Sequence, residues 1–370
     1  MKFLNKHFAT IIMMISGAIR GVAVAVFLFN NPEIFDSTKD YFLFNLILLY
    51  IILIVVIFIQ TILHEFGHMI FGLLTGYEFV SFRVGNLLLI KKDNRLQFKK
   101  YSLMGTGGQC LMSYPEYDRD NFPFVLYNLG GVIVNVLLAV IFSIIYFNNK
   151  PQGFMGFFCV MMIAEGVASA VMNGIPFKNE YISNDAYNIV TLLKDRTSQK
   201  GFYSMLKINE YQSKDISFSK MPEQLFELEE GADLNNPFNA YILICKEYIC
   251  MEKNQFDKAK EYIDILLSDR CTLNGVHRNM IILDSLYIDI LNNKEVDMSV
   301  AENKKMKSFI RAMSSNPSVI RTQYAIARYQ NDEKKQKKLL DRFDKLKKDY
   351  PYETELSTEN KLMELLKNHD

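Results

Sequence analysis

Residues 54–77 read IVVIFIQTILHEFGHMIFGLLTGY. The run is apolar enough for a bilayer, yet it contains His64, Glu65 and His68. Polar and ionisable residues are costly in lipid and mark functional sites when they occur there. On a helix, positions i and i+4 share one face, so both imidazoles of His64-Glu65-Phe66-Gly67-His68 can meet a single ion. Glu65 stands beside the first histidine, where its carboxylate can reach water at that ion without being a ligand. Zinc lowers the pKa of such water towards 7, and the glutamate would take the proton. Leucines would serve a merely structural span at lower cost. A metal site is therefore expected.

Around this stretch the 370-residue chain divides into two unlike halves. Up to about residue 177 long apolar blocks alternate with short polar links; beyond about 194 the sequence is rich in Lys, Asp, Glu and Asn with helical periodicity. Four segments, 8–29, 42–74, 124–147 and 154–172, match the roughly 20 apolar residues that a span needs. The first follows Lys2 and Lys6, as a signal peptide would. Its length and the lack of an A-x-A-like cleavage site predict a retained span. Arg20 within it is expected to face protein or to snorkel, with no catalytic role.

Basic residues set the orientation. Lys2 and Lys6 precede span one, and Arg83, Lys91, Lys92, Arg95, Lys99, Lys100 and Arg119 lie between spans two and three. The links at 30–41 and 148–153 hold only Lys39 and Lys150. This pattern predicts a multi-pass protein of the cell membrane with both termini cytoplasmic and the histidines near the cytoplasmic end of span two. The net charge of +1 provides no basic field for nucleic acid. Five scattered cysteines without a CxxC pair read as reduced thiols.

A hydrolytic zinc site needs a third protein ligand and an open position. His7, His277 and His369 lie near the termini or in the polar half, which leaves a carboxylate: Glu165, Glu180 or Asp185. Span four stops at Asn173-Gly174-Ile175-Pro176, and a helix is expected to restart near 186–193 with Asp185 at its head. Such a break at membrane depth needs cover from protein or water.

HEFGH, the Gly131-x-x-x-Asn135 step in span three, and Asn173-x-x-Pro176 followed by an Asp together resemble the site-2 protease family of intramembrane zinc metalloproteases. The likeness covers about residues 41–195. It implies that His64, His68 and Asp185 hold Zn2+, that Glu65 is the general base, and that Asn135 or Asn173 positions substrate or stabilises the oxyanion. The family commonly has Asp-Gly at the third ligand, where this chain has Asp185-Ala186. Gly130, Gly131 and Asn135 can also be read without the family, as small residues for close packing and an asparagine that glues helices.

Residues 79–104 read as two strands around an Asp93-Asn94 turn, with basic residues suited to an anionic leaflet. Strand addition at an exposed edge could hold an extended substrate. Gly105-Thr106-Gly107-Gly108 reads as a loop and lacks the features of a phosphate-binding loop. From about 237, helical hairpins are expected, with pairs at 276–292 with 298–314 and 317–330 with 332–349. Their spacing of roughly 35–40 residues is similar to tetratricopeptide repeats.

The expected fold is mainly α: a membrane helix bundle of about four spans, a small β-hairpin between spans two and three, and a cytoplasmic repeat-like domain. The expected domains are 1–195 in the membrane, 196–236 as linker and 237–370 as helical hairpins. The expected activity is hydrolysis of a membrane-spanning or membrane-inserted peptide near the cytoplasmic face, with the bilayer and a protein bound to the hairpins as further partners. The alternative is a catalytically retired scaffold or immunity-type binding protein acting through the hairpins.

Overall fold

The computed structural model describes residues 2–102, 105–179 and 183–367. The chain forms two compact units, Met1–Tyr77 with Pro123–Leu193, and Glu78–Phe122 with Lys194–Asp370.

The first unit is built on four long helices: α1 (Lys2–Asn30), α2 (Phe42–Leu74), α3 (Phe124–Asn149) and α4 (Gly153–Gly174). All four are long and apolar enough to cross a membrane. At 1.5 Å per residue the 33 residues of α2 extend about 50 Å, more than the hydrocarbon thickness. Large apolar side chains such as Phe29, Leu43, Ile144 and Phe147 are exposed on this unit, as lipid-facing residues are. Half of the apolar stretch of α4 is buried, against 17% for α1 and α2, because α4 packs against each of the other three spans. Close approach of α2 and α3 is set by Gly67 and Gly130: a Cβ on either would lie 2.3–2.4 Å from the other's carbonyl oxygen. The short α5 (Asp185–Lys194) follows the break after α4.

Arg20 faces protein. It forms a bidentate ion pair with Glu165 of α4, and its third nitrogen donates to Ser16 Oγ at 2.6 Å. In the low dielectric of a span, one charge compensates the other and the pair ties α1 to α4.

The second unit holds four antiparallel strands, β1 (Glu78–Val84), β2 (Leu87–Lys92), β3 (Arg95–Lys100) and β4 (Gly108–Ser113), in the order β3-β2-β1-β4. The expected hairpin at Asp93-Asn94 is present, and both residues adopt positive φ, as a two-residue primed turn requires. The sequence reading gave two strands where this stretch forms three, turning also at Gly85-Asn86, and it missed β4. Its Gln-Cys-Leu-Met-Ser run follows a glycine-rich loop and is too short to show alternation. Leu88 and Ile90 on one face of β2 enter the core; Leu87, Leu96 and Phe98 on the other are exposed.

Residues 196–236, expected as a linker, carry α6 (Thr197–Ser213) and two 3-10 turns with buried Phe202, Leu206, Ile208 and Phe226. The helices α7 (Pro237–Glu252), α8 (Phe256–Leu267), α9 (Gly275–Leu291), α10 (Ser299–Glu302), α11 (Lys304–Ala312), α12 (Pro317–Tyr329), α13 (Glu333–Leu346) and α14 (Glu353–Lys367) follow. Asn236-Pro237 and Asn316-Pro317 each place a side-chain cap before a proline at the first helical position. The helix expected over 298–314 is broken at Asn303, whose side chain accepts from Met306 N and starts α11. All five cysteines are buried free thiols.

Candidate metal centre

Gln60, His64 and His68 recur every four residues on α2 and so form one stripe along it. His64 Nε2 and His68 Nε2 lie 3.2 Å apart, and Asp185 Oδ2 lies 3.3 Å from the first and 3.5 Å from the second. The far nitrogen of each ring is anchored. His68 Nδ1 is 2.8 Å from the carbonyl of Tyr127, and His64 Nδ1 is 2.6 Å from Asn135 Oδ1. A carbonyl only accepts, so His68 carries its proton on Nδ1 and leaves the Nε2 lone pair pointing into the triangle.

Asp185 is placed by Asn184, a residue the sequence reading passed over. The Asn184 side chain accepts from Tyr187 N at 2.9 Å and so caps α5; it also accepts from Phe177 N at 3.2 Å. Its amide nitrogen donates to the carbonyls of Met172 at 2.7 Å and Ile175 at 2.6 Å, the groups left open where α4 ends. One buried amide thus joins the end of α4 to the start of α5.

The triangle suits a metal. Ligand atoms about 2.0–2.1 Å from a tetrahedral zinc lie about 3.3 Å from one another, which matches all three edges. Asp185 Oδ2 is buried without a hydrogen-bond partner, a costly state that a cation would relieve. Among the described residues this is the one group of three or more His, Cys, Asp or Glu side chains able to share an ion. Two nitrogens and an oxygen, all hard or borderline donors, make a set suited to zinc with one position open.

The remaining sequence candidates fall in different places. Glu65 is nearly buried on α2, and its carboxylate is close enough to His68 to interact electrostatically. Glu165 is engaged by Arg20 and stands outside the triangle. Glu180 lies outside the described residues. Asn173 is half-buried at the end of α4, where Nδ2 donates to the Ser169 carbonyl at 3.2 Å. Asn135 is wholly buried with both ends of its amide engaged, Oδ1 by His64 and Nδ2 by Gln60 Oε1 at 2.9 Å. Gly131 makes room for the His64 ring: a Cβ there would lie 2.4 Å from it. Gln60 was also missed from sequence, although its place one turn before His64 on an apolar helix was a usable signal.

A membrane helix bundle that folds an H-E-x-x-H pair and a carboxylate into one donor triangle has the architecture of a membrane-embedded metalloprotease. The chain belongs to peptidase family M50, whose family model matches residues 52–309. This is the site-2 protease family, so the chain is a protease and a multi-pass membrane protein. No curated protein and no solved structure matches it.

Proposed function

We propose that the chain is a zinc metalloendopeptidase that cuts a membrane-spanning or membrane-inserted peptide near the cytoplasmic face, with both of its own termini in the cytoplasm. The observation carrying this reading is the triangle of His64 Nε2, His68 Nε2 and Asp185 Oδ2, with edges of 3.2–3.5 Å. These three residues would hold the metal. When bound, zinc polarises a carbonyl and acidifies water, which is the chemistry that peptide hydrolysis needs.

The chain's own groups carry the rest. Glu65 takes a proton from the attacking water and returns it to the leaving amine, the general acid–base role open to a carboxylate one residue from a ligand. Asn173, which is partly exposed, is the asparagine able to meet substrate. The substrate must be extended before it is cut, because a helical peptide bond is shielded. The helices of the second unit would recruit a protein partner.

The test is Glu65→Gln. The variant should bind one zinc per chain and cleave no trapped substrate. Continued cleavage would sink the mechanism, and a wild-type protein purified with a full zinc supply yet without the metal would sink the site.

A further inference from the structure

Gln60 has no role in the reading above, yet a wholly buried glutamine in a membrane span is expensive unless every polar atom is used. Its Nε2 donates to the main-chain carbonyl of Met162 on α4 at 2.9 Å. Its Oε1 accepts from Asn135 Nδ2 on α3 at 2.9 Å. Asn135 Oδ1 in turn faces His64 Nδ1 at 2.6 Å.

The chain of bonds has a direction. Met162 O can only accept, so Gln60 must present its nitrogen to α4 and its oxygen to Asn135. Asn135 must then turn its nitrogen to Gln60 and its oxygen to His64. An amide oxygen only accepts, so His64 must carry its ring proton on Nδ1. Its Nε2 is left as a lone pair aimed at His68 and Asp185. A carbonyl two side chains away thereby settles both amide flips and one histidine tautomer, choices that otherwise stay degenerate. Gly166 lets this happen: a Cβ there would lie 2.8 Å from the carbonyl oxygen of Asn135, so α4 approaches α3 at the level of the relay.

We propose that Gln60 is a positioning residue which, through Asn135, fixes the Nδ1–H tautomer and the ring orientation of His64 and so keeps Nε2 available to a metal. This rests on the metal reading above and deepens it. Partners of this kind behind a ligand set metal affinity, and losing one costs about 10–100-fold.

The experiment uses the full-length protein in detergent, loaded with zinc or cobalt, with affinity read by chelator competition and ligand geometry by the cobalt absorption spectrum. Gln60→Met keeps the volume and removes both bonds; it should weaken metal binding by about 10–100-fold and alter the cobalt bands. Gln60→Glu, protonated in this apolar site, can donate to Met162 O and accept from Asn135, and should recover most of the affinity. Wild-type affinity and spectrum in Gln60→Met would overturn the proposal, and so would a Gln60→Glu variant no better than Gln60→Met. A second measurement needs no variant. The 15N ring spectrum of the metal-stripped wild type should show His64 protonated at Nδ1, and protonation at Nε2 overturns the relay. Wild-type protein that binds neither metal would instead defeat the site itself, so the two failures are distinguishable.

Discussion

Each unit of this protein gathers a cluster of ionisable groups, and the two clusters are built on opposite plans. In the second unit Arg321 lies fully buried between Asp284 and Glu359, 3.0 Å from the latter, with its guanidinium 4.4 Å above the Tyr287 ring. The cation is a side chain, so both carboxylates find their countercharge inside the fold, although Arg321 Nε and the neighbouring Glu247 Oε1 make no hydrogen bond. In the membrane unit Arg20 closes on Glu165 in the same way. The triangle of His64, His68 and Asp185 differs. It gathers two imidazoles and a carboxylate, and has no lysine or arginine among its ion-pair partners in the described residues. A closed network holds a fold together; an open one needs a cation from solution. That contrast, beside the partial exposure of His64 and Asp185, separates a structural cluster from a candidate catalytic one.

The sharpest way to break the contrast is to remove one member from each cluster. Asp185→Ala should abolish bound zinc and reduce cleavage by at least about 1,000-fold, the scale on which catalytic groups act, while the helices stay folded. Arg321→Met should do the reverse. Leaving Asp284 and Glu359 without their cation should cost about 3–5 kcal/mol of stability, with zinc per folded chain unchanged. Metal analysis beside thermal unfolding checks both, and unchanged zinc in Asp185→Ala would remove that residue from the site.

A second pair of variants sharpens the geometry. Gly131→Ala puts a methyl group 2.4 Å from the His64 ring, and Gly67→Ala puts one 2.3 Å from the Gly130 carbonyl oxygen. Overpacking of this kind costs about 1–3 kcal/mol. Gly131→Ala should spend it on the site, with metal affinity falling at least about 10-fold as a ligand is displaced. Gly67→Ala should spend it on the α2–α3 contact, and so lower the unfolding temperature more.

How much of this could be read from the residues follows from the range of each interaction. The four spans and the HEFGH pair depend on local pattern, hydropathy and i,i+4 spacing, and the sequence displays both. Asp185 could be singled out only through the resemblance, since ordinary reasoning left three carboxylates open. Gln60 could be noticed as a polar residue one turn before His64, but its role and that of Asn184 were not legible, because their partners lie 75 or 102 residues away, or are carbonyls that no sequence displays. Strand β4 was hidden by a pairing with β1 across an intervening hairpin. The burial of Arg321 is likewise a product of packing; by sequence it is one basic residue among many on amphipathic helices.

The second cluster also makes a prediction about pH. Burial, with Glu359 nearby, pushes the Glu355 carboxyl up to about 8 despite a hydrogen bond with Tyr350, and burial pushes Glu359 up to about 7. Both values exceed the unfolded value of about 4.3. The folded state therefore favours the protonated acids. Their stabilisation is full below about pH 4 and is lost as pH rises through about 7–8. The unfolding temperature of the second unit should fall between pH 5 and 8, and Glu355→Gln should flatten that slope. A slope unchanged by the substitution would show that Glu355 is already ionised in the fold.

The smallest effect belongs to Ala186, where this chain departs from the Asp-Gly pair common in its family. Ala186 is the second residue of α5 and is buried. It is not among the non-glycine residues with positive φ, so nothing in the backbone calls for glycine. What holds Asp185 in place is the Asn184 amide one residue earlier, which bonds both ends of the helix break and does not depend on the residue after Asp185. Glycine there would only loosen the first turn, at about 0.5–1 kcal/mol. Ala186→Gly should therefore leave zinc content intact and change cleavage by no more than about 5-fold, the equivalent of that energy. Asn184→Ala should be far worse, because it frees the helix that carries Asp185 from α4. If Ala186→Gly raised activity tenfold or more, the ligand would be held by its following residue after all, and the Asn184 tie would be secondary.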